Sequence, residues 1–182
     1  MQRFSLHQRA AARSERPRPS QERLPLKGRF QIQHVRNGLL LATYDADNGV
    51  VDVGVNRIFN EYFRNGTSSS AFYLGIINNA SFSALSASDT MASHAGWIEF
   101  TGYDQSTRVA WGPDAAASRS ITNSTPAQFD ITGSATLYGL FVVDNSTKSG
   151  TSGNLWSTAA FNSGTVSVTN GDVLKITYSL SA

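Results

Sequence analysis

The alternation of apolar and polar residues begins at Gly28. In "GRFQIQHVR", residues 28–36, Phe30 and Ile32 alternate with polar neighbours, and the pattern passes on to His34 or Val35. This period-2 pattern is that of a strand with one buried face. Asn37-Gly38 follows and predicts a two-residue hairpin, because both central turn positions need positive φ. "LLLATYD" is the return strand, and "DADNG", residues 45–49, reads as the turn that closes it. The period then changes. In "VDVGVNRIFNEYFRNG", Val55, Ile58, Phe59, Tyr62 and Phe63 fall at i, i+3, i+4, i+7 and i+8, which predicts a helix over about residues 52–64. Asp52 or Asn56 would cap its start and Asn65-Gly66 would end it. An aromatic stripe at this spacing is expected to face the core, so that Phe59→Ala would cost about 3–5 kcal/mol.

From residue 71 onward the pattern is one of strands and turns. "AFYLGIIN" reads as a buried strand, and "GWIEFTGY" and "TRVAWG" alternate like the two arms of a hairpin. "AQFDITG", "ATLYGLFVVD", "GTVSVTN" and "DVLKITYSLS" follow between Gly, Asn, Asp and Ser, and "STKSGTSGN", residues 146–154, reads as a flexible exposed loop. About eight or nine short strands predict a mainly β fold. The expected form is an antiparallel jelly-roll-like β-sandwich with one short helix, over residues 28–182, preceded by an extended arm, residues 1–27.

Composition fits this picture. Hydrophobic residues make up 40% of the 182, enough for a core, whereas charged residues make up only 15%, below the roughly 25% of an average soluble protein. Such a surface suits a turn-rich β protein or one partly covered by neighbouring subunits. The chain has no cysteine, which excludes disulfides, Cys-type zinc sites and thiol chemistry. No apolar run approaches the roughly 20 residues that cross a bilayer, and the basic N-terminus lacks the apolar stretch of a secretory signal.

The charge is unevenly placed. Residues 1–27 carry seven basic side chains (Arg3, Arg9, Arg13, Arg16, Arg18, Arg23 and Lys27) against Glu15 and Glu22, while the remainder carries eight basic and eleven acidic ones. Three of the five prolines, in "RSERPRPSQERLPLKG", preclude a long helix there. A segment of this composition is expected to be disordered alone and to order on a partner. Phe4, Leu6, Leu24 and Leu26 are its apolar anchors, and Arg9, Arg13, Arg16, Arg18 and Arg23 its charged contacts. Glu dilution, a single aromatic and an acidic body point to an acidic protein surface as the partner and away from nucleic acid.

One stretch brings several reactive side-chain types together: "SDTMASHAGWIEF", residues 88–100, holds Ser88, Asp89, Ser93 and His94. Neither serine lies in a Gly-x-Ser-x-Gly elbow, and His7 and His34 fall in the arm and a strand, which is a poor basis for a three-His metal site. Asp45 and Asp47 lack the third ligand and distal Glu of a calcium loop. Asp89, Glu99 and Asp104 are close enough in sequence to be considered as a carboxylate pair, although carboxylates in turn-rich chains mostly cap or face solvent. The reading that explains most is structural: Asp89-Thr90 as an Asx-turn or cap, and His94 tying the loop to the strand at Gly96-Trp97. No catalytic residue, metal or cofactor is expected.

The order of segments, from "NGVVDVGVNRIFNEYF" through "FYLGIIN", "LSASDTMASHAGWIEFTGYDQSTRVAW" and "FDITGSATLYGLFVV" to "GDVLKITYSLS", resembles a group of small virion structural proteins encoded by tailed bacteriophages. The likeness covers about residues 28–180 and leaves out the arm. It implies a β-sandwich component of the particle surface, made in the host cytoplasm and located in the virion. The expected role is a capsid decoration or cement protein. Its partners would be the major capsid protein and neighbouring copies of itself, in a homo-oligomer such as a trimer, without nucleic acid or membrane. A tail or fibre-associated adaptor is the alternative. A host-glycan-binding sandwich is another, with Trp97, Trp111, Trp156 or Tyr103 as its platform and Trp156 as the best candidate for exposure.

Overall fold

A computed structural model describes residues 25–69 and 71–182. Eleven strands form one curled antiparallel sheet, with one short helix. They are β1 (Lys27–Arg36), β2 (Leu39–Val50), β3 (Phe72–Asn78), β4 (Ile98–Phe100), β5 (Val109–Trp111), β6 (Ser120–Thr122), β7 (Ala127–Asp130), β8 (Ala135–Val143), β9 (Leu155–Ala160), β10 (Val166–Val168) and β11 (Asp172–Ser181); helix α1 (Asp52–Ile58) follows β2. The path runs β4-β3-β8-β9-β2-β1-β11-β6, with β5 on β3, β7 on β11 and β10 on β8. The chain just after β4, at one end of the path, then meets the end of β7, which lies beside β11 near the other. Tyr103 bridges Ile131, Asp104 N–H donates to the Asp130 carbonyl at 2.8 Å, and Thr132 N–H to that of Gly102 at 2.9 Å.

The hairpin at Asn37-Gly38 forms with φ of 49° and 77°, as its two-residue turn requires. Residues 45–49 are not a turn, and β2 continues through them to Val50. Ala46 is buried and Asn48 turns inward to donate to the Tyr178 hydroxyl, while Asp45 and Asp47 point outward to Arg29 and Asn162, so the turn-forming residues are divided between the two faces of a strand. "GWIEFTGY" and "TRVAWG" do not pair with each other. Both lie along β3, β4 against residues 76–78 and β5 against 72–74, because the segment between them turns aside to Ile131.

Two cores result. The larger lies inside the curl, where Phe30, Ile32, Leu74, Ile76, Leu140, Val142 and Tyr178 pack together. The smaller lies on the outer face of β3, β8 and β9, where Ile77, Phe141, Val143 and Leu155 meet Val51, Met91 and Trp97. Burial on both faces explains the unbroken apolar run in "LYGLFVV", since neither parity has water to face.

Helix α1 reverses the polarity its sequence predicts. It spans Asp52–Ile58 and continues as a single π turn, Phe59–Phe63. Its buried residue is Gly54, where an added Cβ would lie 2.5 Å from the Trp156 carbonyl oxygen. Arg57 and Glu61, one and two turns on, pair with each other, and Arg57 also pairs with Asp144. This polar edge faces the sheet. The aromatic stripe faces outward, with Phe59 55%, Tyr62 82% and Phe63 71% exposed. The expected burial of Phe59 is therefore corrected: close approach at a glycine and a charge cluster dock the helix, so the apolar face is left outside.

Candidate functional site

Phe4, Arg9, Arg13, Arg16, Arg18, Arg23 and Leu24, the anchors assigned to the arm, lie outside the described residues. Asp89 and His94 lie in the loop between β3 and β4, which covers the outer core. Asp89 Oδ2 accepts from Ser86 N–H at 3.0 Å and from the Trp97 indole N–H at 2.9 Å. The carboxylate thus reaches back to Ser86 and across to Trp97, and does not cap the residues that follow it. His94 Nδ1 lies 2.9 Å from the Trp97 carbonyl, and its ring stacks on the Trp97 indole at 3.9 Å. A carbonyl only accepts, so Nδ1 carries the proton. Asp89 and His94 together orient Trp97, which with Met91 plugs the outer core.

A cleft of about 240 Å³ next to this loop holds both His94 and Glu99. Its chemistry is already committed. Glu99 Oε1 and Oε2 accept from Arg108 Nε and Nη2 at 3.0 and 2.8 Å, and Oε2 also accepts from Ser149 N–H at 2.8 Å. Arg108 is fully buried, and it donates further to the carbonyls of Asn145 and Gly150. The guanidinium therefore holds residues 145–150, and Lys148 adds a bond to the Tyr103 carbonyl at 2.7 Å. The loop read as flexible is instead pinned from both sides. A carboxylate in a bidentate pair is poorly placed for general acid or base work. Among the described residues no group of three His, Cys, Asp or Glu side chains is close enough to hold a metal.

A second polar lock sits near the Asn37-Gly38 hairpin. Asp172, fully buried, accepts from Arg36 Nε and Nη2 at 2.6 and 2.9 Å, faces His34 Nε2 at 2.8 Å, and accepts from Thr169 N–H at 2.8 Å. The Arg36 fork, above all, holds the Asp172 carboxyl well below the usual carboxylate range against the opposing effect of burial. Asn123, part of a sequon in the sequence, proves to be a buried connector. Its Oδ1 accepts from the Trp111 indole N–H and Tyr178 N–H, and its Nδ2 donates to the Thr125 and Ile176 carbonyls.

Among the described residues Leu39, Leu40 and Leu41 are exposed at the start of β2, and two further apolar surfaces remain uncommitted. One is the outward face of α1 and the π turn: Val55, Ile58, Phe59, Tyr62 and Phe63. The other is a cleft of about 220 Å³ at the mouth of the curl, lined by Phe72, Trp111, Ile121, Trp156 and Leu180. Both indole N–H groups there are used internally, Trp111 by Asn123 and Trp156 by the Tyr178 hydroxyl at 3.0 Å, so the cleft presents only apolar carbon. Burial pushes the Tyr178 hydroxyl up to about 12, so it stays a neutral phenol at physiological pH. Trp97, Trp111 and Tyr103 are buried, and Trp156 is partly exposed. Five strands supply the cleft residues, two of them the unpredicted β6 and β9, so no local sequence signal marks the cleft. Searches of family models, curated proteins and solved structures find no match to this chain.

Proposed function

We propose that this chain is a structural protein of a tailed-phage particle, a decoration or cement protein that binds the head shell without catalysing a reaction. The observation that carries this reading is the outward apolar face of α1 and its π turn. Five large apolar side chains stand there on a body whose buried ion pairs are closed internally. Contiguous exposed apolar surface of this kind marks an interaction site. The low charge content supports the same reading, and the assignment to a phage particle rests on the resemblance in segment order noted over residues 28–180. We read the curled sheet as a jelly-roll-like sandwich, because side chains from β1, β2 and β11 meet those of β3, β8 and β9 in one core. Many copies, each with a small contact, would give avidity on a lattice of capsid subunits.

The test is reconstitution. Purified protein is added to particles that lack it, and bound copies are counted by quantitative gel and particle imaging. Binding in hundreds of copies to the head supports the reading. A dozen or fewer at the tail assigns it to the adaptor class instead. Phe59→Ser with Tyr62→Ser should abolish binding while the protein stays folded; unchanged occupancy would remove the helix face from the argument.

A further inference from the structure

The apolar cleft at the mouth of the curl lies where the described chain begins. Gly28 sits opposite Leu180, a lining residue, and Leu180 sits opposite Ile121, another. Along β1 the buried positions are Gly28, Phe30, Ile32 and His34, so even-numbered residues face into the curl. Leu26, just before the strand, departs from this pattern and is exposed, and Leu24 precedes it by two residues in the sequence. The ladder cannot carry on beyond Lys27 for long. Its partner β11 ends at Ser181, and Pro25 has no N–H to donate. The described chain begins at Pro25, two residues before β1, beside a cleft with no polar group to offer a sugar or an ion, and Leu24 is the next apolar residue in the sequence.

We propose that this cleft receives the Leu24 side chain of the same chain, which fixes the root of the arm and the direction in which residues 1–23 leave the body. Leu24 lies three residues from Lys27, a reach of at most about 10 Å when extended. A side chain tethered that closely competes at a high effective concentration, which favours it over the same residue of a second copy. Apolar packing against two indoles and Phe72 supplies the attraction. The proposal is independent of the virion reading, and it leaves Phe4 and Arg9 to Arg18 free to engage a partner.

The chain has no cysteine, so trapping is unambiguous. Leu24→Cys with Ile121→Cys, in the full chain, should oxidise to an intramolecular disulfide, which requires the two Cβ atoms to come within about 4.5 Å. Phe4→Cys with Ile121→Cys should not. In a cysteine-free series, Leu24→Asp should make tryptophan emission more quenchable by acrylamide, since Trp156 is the partly exposed indole, while Phe4→Asp should leave it unchanged. Cross-links that form only between chains would make a second copy the occupant and overturn the proposal. No Leu24 cross-link together with unchanged quenching in Leu24→Asp would overturn it as well. Neither measurement needs a particle, so failure here is distinct from failure of the proposed function.

Discussion

Glu99→Gln is the sharpest test of what holds the described body together. Arg108 is fully buried, four of its donor contacts are made, and its guanidinium lies 5.2 Å from the Phe141 ring centroid. Glu99 supplies the counter-charge and is itself buried. The substitution keeps the volume of the side chain but removes its charge, and it turns an amide N–H₂ toward either the guanidinium or Ser149 N–H. Removing one partner of a buried ion pair costs about 3–5 kcal/mol, because the other charge stays desolvated. Set against a total stability of about 5–15 kcal/mol, that is a large fraction.

The assay is urea unfolding at neutral pH, followed both by tryptophan emission and by far-UV circular dichroism, so that coincident transitions establish two-state behaviour. The midpoint should fall while the slope holds. Added salt should not restore it, because buried charges are weakly screened. Glu99→Leu with Arg108→Met should recover part of the loss, since an apolar pair can replace a buried ionic one. Recovery should be incomplete, because the Asn145 and Gly150 carbonyls and Ser149 N–H lose their partners, at about 1–3 kcal/mol for any that stay buried and unpaired. If Glu99→Gln lies within about 0.5 kcal/mol of the wild type, in the range of an ordinary surface change, the pair is solvated and the reasoning fails.

The remaining expectations concern the other locks and the two faces of the fold. Asp172 has a lowered pKa in the folded state, so its contribution is present above about pH 5 and is lost as pH falls below the unfolded value of about 3.9. Urea midpoints taken from pH 6 to pH 2 should drop steeply in the wild type and less in Asp172→Asn, which starts lower. Asn123→Leu should lose about 1–3 kcal/mol for each buried group it leaves unpaired, read as a fall in melting temperature. Trp97→Ala should cost about 3–5 kcal/mol, whereas Phe59→Ala should stay within about 0.5 kcal/mol by the same chemical denaturation. His94→Ala should lose about 1 kcal/mol through its bond to the Trp97 carbonyl, and a hydrolytic activity abolished by it at unchanged melting would contradict the structural role of the loop.

What the sequence made legible was periodic and local. Phe30, Ile32, the Asn37-Gly38 turn, the "AFYLGIIN" strand and the closing "DVLKITYSLS" all declare themselves within ten residues. β9 did not, because after Leu155 and Trp156 "LWSTAA" fills its buried positions with Ser157, Thr158 and Ala159, which carry little apolar signal. Asn123 carries no local signal of its role, since its partners at 111, 176 and 178 are distant in the chain. The loop at 146–154 looked mobile for a related reason. Its small polar residues suit flexibility, and only the fold brings Arg108 and Glu99 against them. The aromatic stripe was the deeper miss. Its period predicted the helix, but period alone cannot say whether an apolar face meets its own core or another surface.

The docking of α1 supplies the distinction that periodicity could not. A helix that buried its aromatic face would need room between itself and the sheet for phenyl rings. Gly54 against the Trp156 carbonyl removes that room. The approach is then so close that only a hydrogen-sized side chain fits, and the helix must present its other face to solvent. Arg57, bonded to Glu61 and Asp144, fixes the rotation about the helix axis. Burial alone would raise the Asp144 carboxyl, but bonds from Asn154, Ser69 and Arg57 outweigh it and hold it below its usual range. Asp144 therefore stays ionised at neutral pH, and the lock stays closed. The exposed aromatics are held in place by a glycine contact and a charged clamp, each made of residues that contribute nothing to the stripe itself. The same strand, β9, carries Trp156 into the cleft beside Leu180, where β1 begins. Trp156 thus joins the helix, through its carbonyl, to the apolar cleft and the start of β1, while the interior of the curl is filled by the apolar core.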